Sequence, residues 1–305
     1  MAKTLQIIKK ILKKIYGNLP SRLILNTFLK KFIYHKPIPR NISNFLISNT
    51  QIKLISASSP ITRMVYWLGI EAYEKEELEM WTKLCKDSKS IVEMGGNIGY
   101  FTVFGAKSQL NKNYEVYEPL PYNFSILKKN LELNSLEHVA IKNVAVISDE
   151  RKTVKFHVPK ELSDYQAATG GFIEGAEIMD SVEVLKVISV ECINCIEAIK
   201  GKDLIKMDVE GAEFEILNGA KEEIVKSKPI ILLELLNKTY NLRSFIYELM
   251  ETSNYFCFVK SKANKKLVEL NSILINSINL PEEFGTRDLI LCPQEKLAYM
   301  KNLLS

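Results

Sequence analysis

Apolar residues recur along this chain in two alternating rhythms: short unbroken runs, and longer stretches with apolar positions three and four apart. The runs predict strands at Ser90 to Met94, Tyr114 to Glu118, Ala140 to Ile147, Leu204 to Val209 and Pro229 to Leu233, with Val154 to Val158 pairing beside the third. Helical spacing predicts Ile70 to Lys86, Gly99 to Leu110, a helix opened by Pro121, Ala212 to Val225 and Leu242 to Met250. Strands separated by helices need right-handed crossovers, which give a parallel sheet covered on both faces. The last two runs, near Phe256 to Val259 and Asp288 to Leu291, lack a helix of adequate length between them and predict an antiparallel hairpin at one edge. The expected fold class is therefore α/β, Rossmann-like and mostly parallel. Between Pro159 and Asp180 no period emerges, and Gly170, Gly171 and Gly175 sit among small polar residues. That stretch reads as a mobile loop, either a lid over a substrate or a plain surface excursion.

With 305 residues and 47% hydrophobic content, the chain can bury a full α/β core and still carry an accessory segment. The expected organisation is a basic, partly helical extension over residues 1–70 and one domain over residues 71–305. The formal charge of +5 hides an asymmetry: residues 1–70 hold twelve basic side chains and no acidic one, so all 36 acids lie beyond them. This points the N-terminus toward an anionic partner. Leu5, Ile8, Ile11, Leu12 and Ile15 recur at helical spacing, with Lys9, Lys10, Lys13 and Lys14 between them. A basic amphipathic helix of this kind suits an anionic membrane surface reached through residues 1–40, and equally a helix docked on the domain with solvated lysines. Nucleic acid ranks below both, because Tyr16, Phe28, Phe32 and Tyr34 read as packing residues rather than a stacking platform.

No apolar run approaches the roughly 18 to 20 residues needed to span a bilayer, and no secretion signal opens the chain. A cytoplasmic protein is expected, with peripheral attachment at the inner membrane surface as the variant the helix allows. The five cysteines, Cys85, Cys192, Cys195, Cys257 and Cys292, show no framework spacing, which fits a reducing compartment. Cys192 and Cys195 form a CxxC, but no second pair or nearby histidines complete a zinc site; buried apolar thiols and no metal are expected.

Candidate chemistry begins at Ile91 to Phe101, IVEMGGNIGYF, where an apolar run ends in a glycine turn. A strand that ends at Gly95 and restarts as a helix near Gly99 needs a backbone that a ligand can approach closely, and glycine lacks the Cβ that would block it. Unpaired N–H groups at the first helical turn are expected to face that ligand. Glu118 lies nineteen residues beyond Gly99, at the end of the next strand, where its two oxygens can accept from both hydroxyls of a ribose. The dinucleotide fingerprint GxGxxG would need glycine at positions 97 and 100; these are Asn97 and Tyr100, which disfavours a nicotinamide enzyme. Further on, LIKMDVEGAE from Leu204 to Glu213 places Lys206, Asp208, Glu210 and Glu213 at the end of a buried run. Ligands of open parallel sheets sit outside the carboxyl ends of the strands, so the ends near Glu93, Glu118, Asp208 and Glu234 converge on one crevice. Asp208 reads as a functional group or as a cap on the following helix; Glu213 and Lys206 read equally as functional groups or as a structural ion pair.

Taken in order, these motifs resemble the FkbM family of S-adenosylmethionine-dependent methyltransferases. The resemblance is carried by Glu93 with GGNIG at Gly95 to Gly99, YEP at Tyr117 to Pro119, KKNLELN at Lys128 to Asn134, NVAV at Asn143 to Val146 and IKMDVEGAE at Ile205 to Glu213. It covers the stretch from Tyr73 to Glu234 and leaves the first 70 residues outside. The resemblance implies a class I methyltransferase fold with S-adenosyl-L-methionine as cofactor. It implies that Gly95, Asn97 and Gly99 contact the cofactor's amino-acid end, with Glu93 and Gly96 counted beside them. Glu118 would hold the ribose, and Asn143 to Ala145 would border the adenine. Asp208 and Glu210 would face the transfer site. Three positions depart from the family's pattern: Gly96 stands for a usual alanine, Glu93 for a usual aspartate, and Ile196 where an aspartate often opens a helix.

The implied reaction is O-methylation of a sugar, glycan or other small hydroxyl-bearing metabolite. Asp208 is the first candidate for the carboxylate that takes the acceptor's proton, with Glu210 and Glu234 behind it and Lys206 alongside. Two alternatives stand: an RNA ribose methyltransferase whose basic N-terminus grips phosphates, and a non-catalytic cofactor-binding or membrane-adaptor protein.

Overall fold

The computed structural model describes residues 7–12, 14, 32–33, 35–47, 50–108, 113–160, 170–177, 182–237, 239–263 and 265–304. Its strands are β1 (Asn44–Leu46), β2 (Lys53–Ile55), β3 (Ser90–Met94), β4 (Asn113–Tyr117), β5 (Ala140–Lys142), β6 (Ala145–Ile147) and β7 (Thr153–Pro159). They continue with β8 (Phe172–Ile173), β9 (Val184–Asn194), β10 (Leu204–Met207), β11 (Ile230–Glu234), β12 (Tyr255–Lys260), β13 (Leu267–Leu270) and β14 (Asp288–Pro293). Eight of the described strands form the central sheet, in the order β13-β12-β14-β11-β10-β3-β4-β5. β5, β4, β3, β10 and β11 run parallel, as strands joined through helices must. β10 and the first four residues of β11 are buried, consistent with apolar runs covered on both faces. The chain steps outward from β3 to β4 and β5, then crosses back to β10. The carboxyl ends of β3 and β10 are therefore the switch point where an open sheet takes a ligand.

The closing strands depart from the expected edge hairpin. β12 and β14 do pair antiparallel, but β14 lies inside the sheet between β11 and β12, and the outer edge is β13. The expected strand from Ala140 to Ile147 is two strands in different sheets. Asn143 breaks it: its Nδ2 donates to the carbonyls of Glu118 (2.7 Å) and Pro119 (3.0 Å), turning the chain out of the central sheet. β6 then joins a smaller sheet, β6-β9-β7-β8, in which β7 pairs with β9 rather than with the strand before it. β9 has no counterpart among the predicted elements. Its Leu185 and Val187 are exposed, so no buried stripe marks it. Part of the expected loop is also ordered into a strand, since β8 pairs with β7 and buried Phe172 stacks on His157. Residues 161–169 and 178–180 of that expectation lie outside the described residues.

The expected helix from Ala212 to Val225 is broken into Glu213–Gly219 and Lys221–Ser227, behind the weak helix formers Asn218 and Gly219. Helix Cys195–Ile199 is capped by Asn194, whose side chain accepts from the Ile196 amide at 2.9 Å; this residue supplies the cap that Ile196 cannot. Four of the five thiols are buried, and burial raises Cys195, Cys257 and Cys292.

The stretch before residue 70 is tied to the domain. Helix Pro60–Leu68 buries Val65, Tyr66, Trp67 and Leu68 in the cluster that holds Trp81 and Val103. The asparagines of the KKNLELN helix grip β2: Asn130 Oδ1 accepts from the Ile55 amide at 2.8 Å, and Asn134 Oδ1 accepts from Lys53 at 2.9 Å. The expected boundary at residue 70 thus falls within one packed cluster. Of the predicted N-terminal helix, residues 7–12 and 14 are helical, while Leu5 and Ile15 lie outside the described residues. Among the described residues no helix is long and apolar enough to cross a membrane.

Candidate active site

At the switch point the glycine turn is folded back on its own sheet. The amides of Gly95 and Gly96 both donate to the Tyr117 carbonyl, at 2.9 and 3.1 Å. Gly95 has φ +82°, and a Cβ there would lie 1.9 Å from the Asp208 carbonyl oxygen. No side chain can occupy that position while β10 ends where it does. Gly96 is equally confined, its Cβ position lying 2.3 Å from Val116 Cγ1. The family's usual alanine would fit here only if the Val116 and Leu127 side chains shifted.

Three amides ahead of the helix are engaged within the protein. Asn97 N donates to Glu118 Oε2 at 2.7 Å, Ile98 N to Asn97 Oδ1 at 2.8 Å, and Gly99 N to the Gly96 carbonyl at 2.8 Å. A tight turn satisfies its orphan donors locally, so these three amides do not face a ligand. Glu118 is the hub. Its other oxygen accepts from Leu120 N at 2.8 Å, and Asn123 also bonds to the carboxylate. Burial pushes its carboxyl up to about 7, against the pull of the Leu120 and Asn97 amides. Each carboxylate oxygen has two lone pairs, so the group can anchor the turn and still accept from a diol.

Glu93 is buried beneath the turn, with Oε2 accepting from Tyr114 Oη (2.7 Å) and Thr102 Oγ1 (2.8 Å). Burial raises it, opposed first by the Lys206 ammonium. Asn143 holds the Glu118–Pro119 turn rather than lining the cavity, while Ala145 lies on the cavity wall.

One cavity of about 420 Å³ joins this turn to a second, acidic end, a size typical of small-molecule sites. Gly95, Gly96, Asn97, Glu118, Lys206, Asp208, Glu210 and Glu234 all line it. Gly99 sets the turn from outside that wall, with φ +80° and packing against Leu127. At the acidic end, Lys206 Nζ lies 3.3 Å from Asp208 Oδ2 and 4.6 Å from the centre of the Phe101 ring. Burial by itself would lower Lys206; Asp208, Glu93, Asp288 and Glu74 reverse this and raise it above its ordinary value. Glu213 faces elsewhere. It closes the Asp208 to Gly211 turn by accepting from Val209 N (3.0 Å) and Gly211 N (2.9 Å), a structural duty.

Oxygens of Asp208, Glu210 and Glu234, one from each, lie within 4.8 Å of one another. That donor set is compatible with a divalent cation, although Lys206 and Arg287 already bring positive charge to it. Burial and then Asp208 raise Glu234 to about 8, and the same two causes lift Glu210 well above its ordinary value. Several groups here escaped the sequence reading: Tyr73, Glu74, Glu77, Lys262, Thr286, Arg287 and Asp288 complete the acidic end. Burial, then Asp288 and Asp208, push Glu74 to about 8. One signal for Asp288 was available: the start of an antiparallel strand lies at the same sheet edge as the ends of the parallel ones.

An open sheet in this order, with the glycine turn and a carboxylate sharing one cavity at the switch point, defines the Rossmann-like class I methyltransferase fold. Residues 93–258, more than half of the chain, match the family model described as the Methyltransferase FkbM domain. The chain belongs to that family, whose cofactor is S-adenosylmethionine. It is similar to Methyltransferase 1 of Beauveria bassiana (strain ARSEF 2860), with 25% identity over 154 residues, 45% of this chain and 60% of that protein. The match therefore spans less than two thirds of that relative. Among solved structures it is similar to the methyltransferase FkbM from Methylobacillus flagellatus KT, at 14% identity and a TM-score of 0.41, covering 88% of this chain and 59% of that one. A second is the O-methyltransferase from Bacillus cereus in complex with SAH, at 11% identity and a TM-score of 0.39, covering 71% of this chain and 78% of that one.

The residues fit the cofactor. Glu118 would take the ribose, and Leu120, Val144 and Val146, which line the cavity, would give the adenine an apolar wall. The carboxylates beyond suit a molecule that carries a sulfonium and an ammonium.

Proposed function

We propose that this chain is an O-methyltransferase acting on a sugar, a glycan or another small hydroxyl-rich acceptor. S-adenosylmethionine supplies a methyl group already activated on its sulfonium, so the protein's task is alignment and removal of one proton. Asp208 suits the second task. Its side chain is 39% exposed against 14% for Glu234, and Lys206 fixes one of its oxygens from the side. The acceptor hydroxyl would surrender its proton to Asp208 as the oxygen takes the methyl. Glu234, raised to about 8 by burial and then by Asp208, can donate to an acceptor oxygen as well as accept, and the same two causes raise Glu210.

The observation that carries the reading is the make-up of the cavity wall, which bears eight carboxyl side chains. Carboxyl groups accept from the hydroxyls of an acceptor and, when protonated, donate to its oxygens. The test is incubation of the protein with methyl-labelled S-adenosylmethionine and separate panels of glycosides and RNA. Label on a glycoside hydroxyl is the expected result; label on RNA alone, or on no hydroxyl acceptor, would overturn the proposal.

A further inference from the structure

The N-terminal helical segment turns its isoleucines away from the protein. Ile7, Ile8 and Ile11 are 58%, 41% and 51% exposed, although a helix docked for packing would bury this stripe. The adjoining flank makes the contact with the domain: Lys9 Nζ lies 3.5 Å from the centre of the Tyr66 ring, and Leu12 packs against the core cluster. The helix is thus held through Lys9 and Leu12 while Ile7, Ile8 and Ile11 look outward beside exposed Lys10 and Lys14.

A second apolar group shares this side of the molecule. Phe32 is 57% exposed; Lys36 Nζ lies 5.6 Å from its ring centre and 4.3 Å from that of Trp67, the neighbour of Tyr66 on helix Pro60–Leu68. Exposed apolar side chains interleaved with lysines, in a segment of twelve cations and no anion, match one environment on both counts. We propose that this face docks on an anionic lipid surface, with the isoleucines and Phe32 entering the headgroup boundary and the lysines meeting lipid phosphates. Nucleic acid would satisfy the lysines yet leave the isoleucines in water. The catalytic cavity and its acceptor play no part in this inference.

Flotation of the full chain with vesicles is the test. Vesicles of phosphatidylcholine and phosphatidylserine should carry the protein, and vesicles of phosphatidylcholine alone should leave it behind. Ile8→Glu/Ile11→Glu should weaken flotation at least about tenfold, because two exposed apolar side chains lose their insertion and two anions are added. Lys10→Glu/Lys14→Glu should weaken it as well, and added salt should have a similar effect on the unaltered chain. Unchanged S-adenosylmethionine affinity in both variants would show that the domain is intact. Failure to float with either vesicle, equal flotation with both, or an Ile8→Glu/Ile11→Glu variant that floats undiminished would overturn the proposal. Salt-sensitive RNA binding that ignores the isoleucines would reassign the face to nucleic acid.

Discussion

The two ends of the cavity solve opposite problems with the same residue type. At the glycine turn, Glu118 is buried but spends its oxygens on the amides of Asn97 and Leu120, so the turn and the carboxylate fix each other. At the acceptor end, Asp208, Glu210 and Glu234 crowd together with fewer donors, and mutual repulsion adds to burial in raising Glu210 and Glu234. The first arrangement is complete before any ligand arrives. The second gains stability when a cation or a hydroxyl-rich molecule enters it. A carboxylate near a ligand site can therefore be a scaffold or a reagent, and its partners tell which.

The sharpest way to break the contrast is Gly95→Ala. A Cβ lying 1.9 Å from the Asp208 carbonyl and a left-handed φ together should cost more than about 3 kcal/mol and abolish cofactor binding. Calorimetry and thermal melting would register it, and a variant that binds normally would mean the turn has slack. Next comes Asp208→Asn, expected to lower turnover by about 100- to 10,000-fold while S-adenosylmethionine affinity stays near that of the unaltered chain. Equal loss of both would return Asp208 to a purely structural role.

Titration sharpens the comparison. Glu74, Glu118, Glu213 and Glu234 have native values of about 7 to 8, above the ordinary 4.5. The folded state therefore binds protons more tightly than the unfolded chain. The stabilisation from these groups is complete below pH 4.5 and is lost as pH rises through about 7 to 8. Denaturant melts without ligand should accordingly show stability falling across that window. S-adenosylmethionine affinity should rise there by about threefold to tenfold as the acids ionise, and S-adenosylhomocysteine, which lacks the sulfonium charge, should respond less. Parallel slopes for the two ligands would mean the acidic end does not sense the sulfonium. The smallest effect is expected from Asn134→Ala, about 1 to 2 kcal/mol of stability through loss of the β2 contacts, with cofactor affinity little changed.

The parallel strands and the residues at their ends were legible because apolar runs and glycine spacing are local signals. Gly95, Glu118 and Asp208 were found from them, and all three line one cavity. β9 was not legible, because its open face exposes Leu185 and Val187 and blurs the two-residue period. The engaged amides of Asn97, Ile98 and Gly99 were not legible either, since sequence does not show that Glu118 reaches back to the turn. Glu74 and Asp288 lie more than two hundred residues apart in the chain and meet only through the sheet order. The asparagines of the KKNLELN helix were noticed as a family mark; their grip on β2, and the Asn130 bond to the Ile98 carbonyl at 2.7 Å, give that mark a mechanical meaning.

The placement of β14 also bears on how the protein is made. Because this late strand is threaded between β11 and β12, a nascent chain that has not yet emerged past residue 287 leaves both neighbours with bare edges facing one another across a gap. Asp288 travels on that strand, so the ribosome delivers the final wedge of the sheet and the last acid of the acceptor pocket in the same stroke.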